Sequence, residues 1–375
     1  MKKINVVLVG LQFGAYFIGI YKEHPLVGSV GLYDLSRQIA EDASNYYGIE
    51  KIYNSFEEVL NDDKVDAVHI VTPIPCHAEQ TLKVLNAGKH CACAVPMATG
   101  LEEIYDITEA VRRTGKKSMM METTLYTYQY FYAKEMLDNG EFGKIQFMRG
   151  AHYQDMSGWP GYWNGLPPMH YGTHAISPMV GLSGSRIKRV VCFGSGTMDE
   201  SLTQQYGNPF PVESALFEFE NGIKGEATRT LFETAKTYQE AFHIYGSKKS
   251  FEWGFADEDN PYITRAERIP GGRGRKTPFE VVEMPNYYKK LPEEIQRFTV
   301  GENFDPLNPQ KSLIKGAGGI HHGSHPHLVH EFLMSIAEDR KPWIDEVMAG
   351  NITAAGICAH ISAMKNGESI IVPEF

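Results

Sequence analysis

Ile4-Asn5-Val6-Val7-Leu8-Val9-Gly10-Leu11-Gln12-Phe13-Gly14-Ala15 decides the fold. Six mostly β-branched or apolar residues in a row predict a strand buried on both faces of a parallel sheet. Gly10 breaks the run, and a helical stretch follows toward Tyr21. Against the dinucleotide pattern G-x-G-x-x-G/A, Gly10 and Ala15 fit the first and last places. Gln12 stands where the second glycine lets the backbone approach a pyrophosphate at the helix N-terminus. Gly14, beside Phe13, supplies some of the missing room. Asp34 ends the next strand at the spacing of a carboxylate that accepts hydrogen bonds from an adenosine ribose. A carboxylate there repels a 2′-phosphate, so the residues favour NAD over NADP. Arg37 argues the other way, unless it is a surface arginine of the first helical turn.

Outward from this turn, strands and helices alternate. Val30–Asp34 reads as a strand and Arg37–Tyr47 as a helix. Ala67–Val71 is a third strand closing on Thr72-Pro73. A helix over His77–Ala87 leads through Gly88 into a strand over His90–Val95. This order means right-handed βαβ units and an open parallel sheet, with ligands at the carboxyl ends of its strands. The α/β fold therefore opens with a Rossmann dinucleotide-binding domain over residues 1–122. Past Glu122 the character changes: Tyr126, Tyr128, Tyr130, Phe131 and Tyr132 crowd before a helix ending near Asn139-Gly140. Ala215–Glu220 alternates, meets Asn221-Gly222, and continues over Ile223–Thr230, a hairpin signal. Residues 123–375 thus read as a C-terminal α+β domain with an open, mainly antiparallel sheet, for substrate and self-association. Within it, 256–319 has no sustained period and reads as an irregular insertion. Its basic run Pro270–Lys276 reads as a solvated loop. Helices near Pro326–Glu338 and Val347–Lys365 close the chain and are expected to pack on the second domain.

The composition excludes several classes. Of 375 residues, 46 are acidic and 36 basic, a formal charge of −10. That balance argues against a nucleic-acid partner, which selects a basic face. Five cysteines, an odd number without a C-x-x-C spacing, argue against a disulfide scaffold and for a reducing compartment. Ile4–Tyr21 follows Met1-Lys2-Lys3 as a signal peptide would, but Asn5 and Gln12 interrupt it and no small-x-small site follows. It is also too short for a membrane helix. A cytoplasmic protein with no membrane partner is expected.

Further motifs resemble the Gfo/Idh/MocA oxidoreductases over nearly the whole chain. They are Thr72-Pro73-x-x-x-His77, Ala87-Gly88-Lys89-His90, a strand ending in Pro96-Met97-Ala98, and the Gly140-Glu141-Phe142-Gly143-Lys144-Ile145 joint. The resemblance places Thr72, Pro73, His77 and Pro96 on the cofactor side, and implies a homodimer or homotetramer formed through the open sheet. The family strand ends in Glu-Lys-Pro, whose lysine sits beside the nicotinamide and the reacting hydroxyl. Here the tripeptide is Ala94-Val95-Pro96. The family's Asp-x-Gly-x-His-x-x-Asp becomes His170-Tyr171-Gly172-Thr173-His174-Ala175-Ile176-Ser177, keeping only the central glycine and histidine. Tyr-x-x-His at this place is similar to the NAD-dependent glycosidases of the α-N-acetylgalactosaminidase-like branch. That branch carries a tyrosine five residues past the methionine of a Met-Glu pair, matched by Met121-Glu122 and Tyr126. Trp159-Pro160-Gly161-Tyr162-Trp163 and Pro167-Pro168-Met169-His170-Tyr171 resemble the NAD-dependent sulfoquinovosidases.

The residues make chemical sense without these names. Histidine is suited to take a hydroxyl proton near pH 7 while hydride leaves for nicotinamide. A tyrosine acts as a base beside a cation, either the nicotinamide or a protonated histidine. His174, Tyr171 and Tyr126 are therefore the candidate catalytic set. His170 and His174 are four apart and would share a helix face. That spacing permits a metal pair, completed by His321, His322, His325, His327 or His330, but the usual carboxylate partners are absent and no metal is expected. The late histidines otherwise line a cleft at a helix N-terminus. Trp159, Tyr162 and Trp163 form either a sugar-stacking platform or the core of a loop. Trp159, Trp163, His170, His321 and His322 are the candidate substrate contacts. Cys91 and Cys93 point to one face of a strand as buried thiols. Arg149 and Lys144 read equally well as surface charges.

Three functions compete. The first is redox-neutral, NAD-dependent glycoside hydrolysis by oxidation at sugar C3, elimination, addition and reduction. The second is a net NAD(P)-dependent sugar or polyol dehydrogenase. The third is a non-catalytic NAD-binding sensor.

Overall fold

The computed structural model describes residues 2–257, 259–300 and 320–375. It divides into two compact units, the first Met1–Thr127 with Asn286–Gly350 and Phe375, the second Tyr128–Pro285 with Asn351–Glu374.

In the first unit the chain runs β1 (Ile4–Val9), α1 (Ala15–Glu23), β2 (Val27–Tyr33), α2 (Arg37–Tyr47), β3 (Lys51–Ile52), α3 (Phe56–Asn61), β4 (Ala67–Ile70), α4 (His77–Asn86), β5 (His90–Cys93), α5 (Leu101–Thr114) and β6 (Ser118–Met120). Its six strands lie in the order β3-β2-β1-β4-β5-β6, and every pair is parallel. This is the doubly wound dinucleotide order, with its switch point between β1 and β4. Apolar content on both faces drives it: Val6, Val7, Leu8 and Val9 are all buried. Truncating a side chain such as Leu8 to alanine costs about 2–5 kcal/mol in a core of this kind. Asn5 interrupts the run harmlessly, because its N–H donates to Asp66 Oδ2 (2.9 Å) and its Nδ2 to Lys64 O (2.8 Å). Local signals set the helix ends. The Ser36 hydroxyl caps α2, and Gly48 closes it with φ near 63°. The Glu103 carboxylate accepts from Thr99 N–H and Gly100 N–H, both at 2.9 Å, at the start of α5.

The second unit begins with α6 (Tyr128–Asp138), β7 (Ile145–Tyr153), α7 (Thr173–Ser183), β8 (Ile187–Ser195) and α8 (Glu200–Thr203). The strands β9 (Val212–Phe219), β10 (Lys224–Thr230), β11 (Gln239–Gly246) and β12 (Lys249–Glu252) follow. Asn221-Gly222 makes the expected hairpin between β9 and β10, with φ near 88° at Gly222. Ala215, Phe217 and Phe219 face inward while Leu216 faces out. The irregular reading of 256–319 needs correction within its described part. That part holds β13 (Tyr262–Arg265), β14 (Glu267–Arg268), β15 (Arg275–Lys276), β16 (Phe279–Val281) and α9 (Glu293–Gln296). The strands are too short, and too closely bounded by proline and glycine, for their period to register; only Ile263 of β13 is buried. Residues 301–319 lie outside the described residues.

The last elements are α10 (Ser324–Ala337), α11 (Glu346–Met364) and β17 (Ile370–Ile371). The second unit's sheet has the order β16-β13-β12-β11-β7-β10-β9-β8-β17. Its strands pair antiparallel except β7 with β10. α7 lies across β7, β10 and β11. The expectation that both closing helices pack on the second domain is corrected for α10. It packs on α1 in the first unit, with the Phe17 and His325 rings 4.4 Å apart and His24 Nε2 3.0 Å from His330 Nδ1. Tyr16 and Phe17 of α1 both meet the His325 ring, at 6.4 and 4.4 Å between centres. α11 is long and apolar enough to cross a membrane, yet most of it is buried inside the fold, as a core helix is.

Two buried imidazoles make stability depend on acid. Burial lowers the His69 pKa to about 3, and burial with His330 and Lys3 nearby lowers that of His24 to about 3. Both rings are neutral in the fold but take a proton in the unfolded chain below about 6.5. Stability is thus fully present above pH 6.5 and is lost toward pH 3, by up to about 1.4 kcal/mol per pH unit for each ring. Thermal melts between pH 7 and 4 are expected to show this fall, and a shallower one for His69→Phe. An unchanged slope in the variant would show that His69 does not contribute.

Candidate functional site

In the first unit the site is built at the carboxyl ends of β1, β2, β4 and β5. Gly10 holds φ near 85°, and a Cβ there would lie 2.6 Å from Val71 O. Only glycine fits this turn. No side chain caps the N-terminus of α1, so its dipole and N–H groups face the turn. Gln12 is exposed. Phe13 joins an aromatic cluster, 5.3 Å from Tyr16, 5.7 Å from His325 and 6.0 Å from His321, ring centre to ring centre. Asp34 Oδ2 accepts from Leu11 N–H at 2.7 Å and Oδ1 from Ser36 N–H at 2.8 Å. Each oxygen keeps a second lone pair for a ribose hydroxyl. Arg37 is turned to Glu41 (2.7 Å) and Asn54 (3.3 Å). The glycine cradle, the uncapped helix and the carboxylate together fit NAD.

Past the switch point, Thr72 Oγ1 donates to Gln80 Oε1 at 2.6 Å, and Pro73 starts a short 3-10 turn. Buried His77 puts Nδ1 2.7 Å from Pro96 O and Nε2 2.8 Å from Thr72 O. Two carbonyls accept only from a ring protonated at both nitrogens. Burial opposes that charge, but the facing Cys93 and the two carbonyls outweigh it and raise the His77 pKa to about 9. Val95, at the lysine position of the family pattern, is buried. Tyr126 is also buried in this unit, its ring edge-on to Trp343 at 5.5 Å. His322 is half-buried beside His321, both in left-handed backbone conformation.

The second unit brings Tyr171 and His174 together. Tyr171 ends a 3-10 turn, Pro168–Tyr171, and His174 lies in the first turn of α7. Tyr171 Oη is 3.4 Å from His174 Nε2, and His174 Nδ1 is 3.6 Å from Glu240 Oε1. Tyr238 donates its hydroxyl to Glu240 Oε2 at 2.7 Å, and burial with this carboxylate raises the Tyr238 pKa. The carboxylate favours the His174 tautomer protonated at Nδ1, leaving Nε2 to accept the Tyr171 proton. The His152 ring lies 5.0 Å from that of His174. Arg229 has no exposed surface and donates from Nε to Tyr171 O (3.0 Å), with its guanidinium 5.2 Å from the Tyr171 ring centre. Trp163 packs edge-on to Tyr171 at 4.9 Å and to half-exposed Trp159 at 6.0 Å.

One expectation fails here. His170 and His174 do not share a helix face, because Gly172 separates the 3-10 turn from α7. The His170 ring turns instead to His360, 5.2 Å away. Four residues beyond the sequence reading complete the cluster: His152, Arg229, Tyr238 and Glu240. The available signal was polar or charged side chains at inward positions of alternating strands, as at Arg229 beyond Gly225 and Ala227.

A parallel sheet with this cradle defines a nicotinamide-dinucleotide protein of the Rossmann type, joined to a second unit with its own acid–base cluster. The chain belongs to the Gfo/Idh/MocA oxidoreductase family. Residues 4–122 match its NAD-binding Rossmann fold and residues 130–252 its C-terminal domain. A glycosyl hydrolase family 109 protein of Porphyromonas gingivalis is 27% identical over 245 residues, 58% of this chain and 49% of that protein. An α-N-acetylgalactosaminidase of Shewanella oneidensis is 28% identical over 199 residues, 48% of this chain and 42% of that protein. The chain thus spans about half the length of the curated relatives it matches. A solved levoglucosan dehydrogenase in complex with NADH and levoglucosan shares the fold at TM-score 0.78 and 20% identity, covering 100% of both chains. A myo-inositol 2-dehydrogenase from Lactobacillus plantarum does so at TM-score 0.73 and 17% identity, covering 99% of this chain and 100% of that one.

Two outcomes test the first unit. Asp34→Ala is expected to weaken NAD binding by about 1–3 kcal/mol, the worth of a charge-assisted hydrogen bond; equal calorimetric affinities would remove Asp34 from the site. The raised His77 pKa makes its contribution full below about pH 6.5 and lost as pH rises through about 9. Wild-type melting temperature should fall between pH 7 and 10 more steeply than that of His77→Gln, and parallel curves would reject the charged ring.

Proposed function

We propose that the protein is a redox-neutral, NAD-dependent glycosidase. The observation that carries the reading is the chain Tyr171–His174–Glu240–Tyr238, in which each member faces the next. The glycine turn, Asp34, Thr72 and His77 would hold the cofactor. NAD, when bound, would supply a reversible hydride acceptor for the sugar C3, so turnover would consume no net cofactor. The protein's own groups move the protons. The C3 hydroxyl gives its proton to His174, with Glu240 compensating the charge on the imidazole, so the tyrosine is kept for the next proton. The resulting ketone acidifies the neighbouring C2–H, which a tyrosine, Tyr171 or Tyr126, then removes. The aglycone leaves C1 with the bonding electron pair and takes up the proton that the tyrosine removed from C2. Water adds across the C1–C2 double bond, restoring hydrogen at C2 and placing hydroxyl at C1. Reduction at C3 then closes the cycle, and Trp159 beside Trp163 offers an aromatic wall to a sugar ring.

We also infer a homodimer or homotetramer formed through the open sheet. Phe193, Leu216 and Ile371 are exposed on β8, β9 and β17, and their registers place them on one face.

The deciding experiment is turnover of aryl glycosides and sulfoquinovosides in heavy water with catalytic NAD. Released sugar carrying deuterium at C2 without net NADH is expected. Stoichiometric NADH with no aglycone release would overturn the scheme in favour of a net sugar dehydrogenase. His174→Ala should lower kcat at least about 100-fold with NAD affinity unchanged, as loss of a transition-state proton acceptor requires. Turnover within about tenfold of wild type would assign the base elsewhere.

A further inference from the structure

Glu213 stands at an inward position of β9, in the row otherwise filled by Ala215, Phe217 and Phe219, and is fully buried. A carboxylate survives there only if both oxygens are satisfied. Oε2 accepts from Met169 N–H at 2.8 Å, and Oε1 accepts from His360 Nδ1–H at 2.6 Å. Met169 belongs to the 3-10 turn that ends in Tyr171. At the other end of that turn, Arg229 Nε holds Tyr171 O at 3.0 Å. α11 presses on the same turn, since a Cβ on Gly356 would lie 2.2 Å from Met169 O. Gly356 and His360 are four apart on α11 and share a face. One face of a helix therefore supplies both the close approach and the imidazole that braces the carboxylate.

We propose that Glu213, braced by His360, is a positioning residue that holds the Pro168–Tyr171 turn and so aims the Tyr171 hydroxyl; the inference rests on the acid–base role given to Tyr171 above. Glu213 makes no contact with the Tyr171 hydroxyl itself and acts through the backbone. A turn released at Met169 remains tethered at Tyr171 O, so the hydroxyl moves while the sheet stays whole. A shift of about 1 Å in a reacting group is enough to cost about 100-fold in rate.

The test pairs an activity-independent readout with kinetics. In Glu213→Ala, amide exchange in peptides covering 167–172 should accelerate at least about tenfold, the opening of one lost hydrogen bond. On the aryl glycoside that wild type turns over fastest, kcat should fall about 100-fold while KM and NAD affinity change less than about threefold. Glu213→Gln, whose amide oxygen still accepts from Met169 N–H, should restore the protection and most of kcat. His360→Gln leaves the carboxylate in place and should loosen the turn with a loss of about tenfold in kcat, a result that still decides the matter if Glu213→Ala fails to fold. Unchanged exchange at 167–172 in both Glu213→Ala and His360→Gln overturns the proposal, whatever Tyr171 does. A loosened turn with undiminished kcat also overturns it. Tyr171→Phe then separates the causes: full activity there means the acid–base reading has failed, and lost activity means only the strut has.

Discussion

A guanidinium without access to water lies against the tyrosine that the second unit presents. Burial lowers the Arg229 pKa to about 10, so the group is still charged at neutral pH. An interior charge persists only when its donors are used and an opposite charge is near. Arg229 donates to Tyr171 O, His152 O, Thr230 O and Gln154 Oε1. Tyr171, Tyr238 and Glu240 favour its charge, and the attraction is mutual. The need to satisfy one cation thereby ties β10 to β7 and fixes the end of the Tyr171 turn.

The first unit uses the same device on a smaller scale. His77 is a cation between two backbone carbonyls at the ends of β4 and β5, as Arg229 is a cation among carbonyls at the ends of β7 and β10. Each makes loop backbone part of a hydrogen-bonded charge, so the loop geometry is no longer free to relax. Carbonyls are suited to this role because they accept without themselves titrating. Asp34 does the reverse for the glycine turn, accepting two N–H groups and fixing donors as the cations fix acceptors.

The parts that were legible in the amino-acid sequence are those governed by local period and backbone sterics. The continuous apolar run of β1, the positive-φ glycine after it, the serine cap of α2 and the Asn221-Gly222 hairpin each declare themselves within a few residues. The glycine turn and Asp34 followed from such signals, whereas Tyr171 and His174 came from the resemblance of their stretch to a family motif. Illegible were the groups that strand pairing assembles: His152, Arg229 and Glu240 come from three strands, brought level by registers that no local period encodes. His170 misled because the spacing of four assumes one continuous helix, and Gly172 interrupts it. β13 and β16 were hidden because a strand of three or four residues has too few positions to show a period.

The family pattern puts a lysine where this chain has buried Val95. An apolar side chain there leaves the first unit without that ammonium, so the proposed proton chemistry rests largely on the second unit. Exchanging an ammonium for a phenol backed by imidazole and carboxylate changes what the site is good for. An ammonium stabilises an alkoxide during simple alcohol oxidation. A phenol that can hand its proton to His174 also becomes a base strong enough for a carbon acid next to a ketone, the step that separates elimination from plain dehydrogenation. Arg229, 5.2 Å from the Tyr171 ring, favours negative charge there, and Glu240 favours positive charge on His174. In the proposed reaction the two buried charges therefore act in one direction, toward moving the Tyr171 proton onto His174.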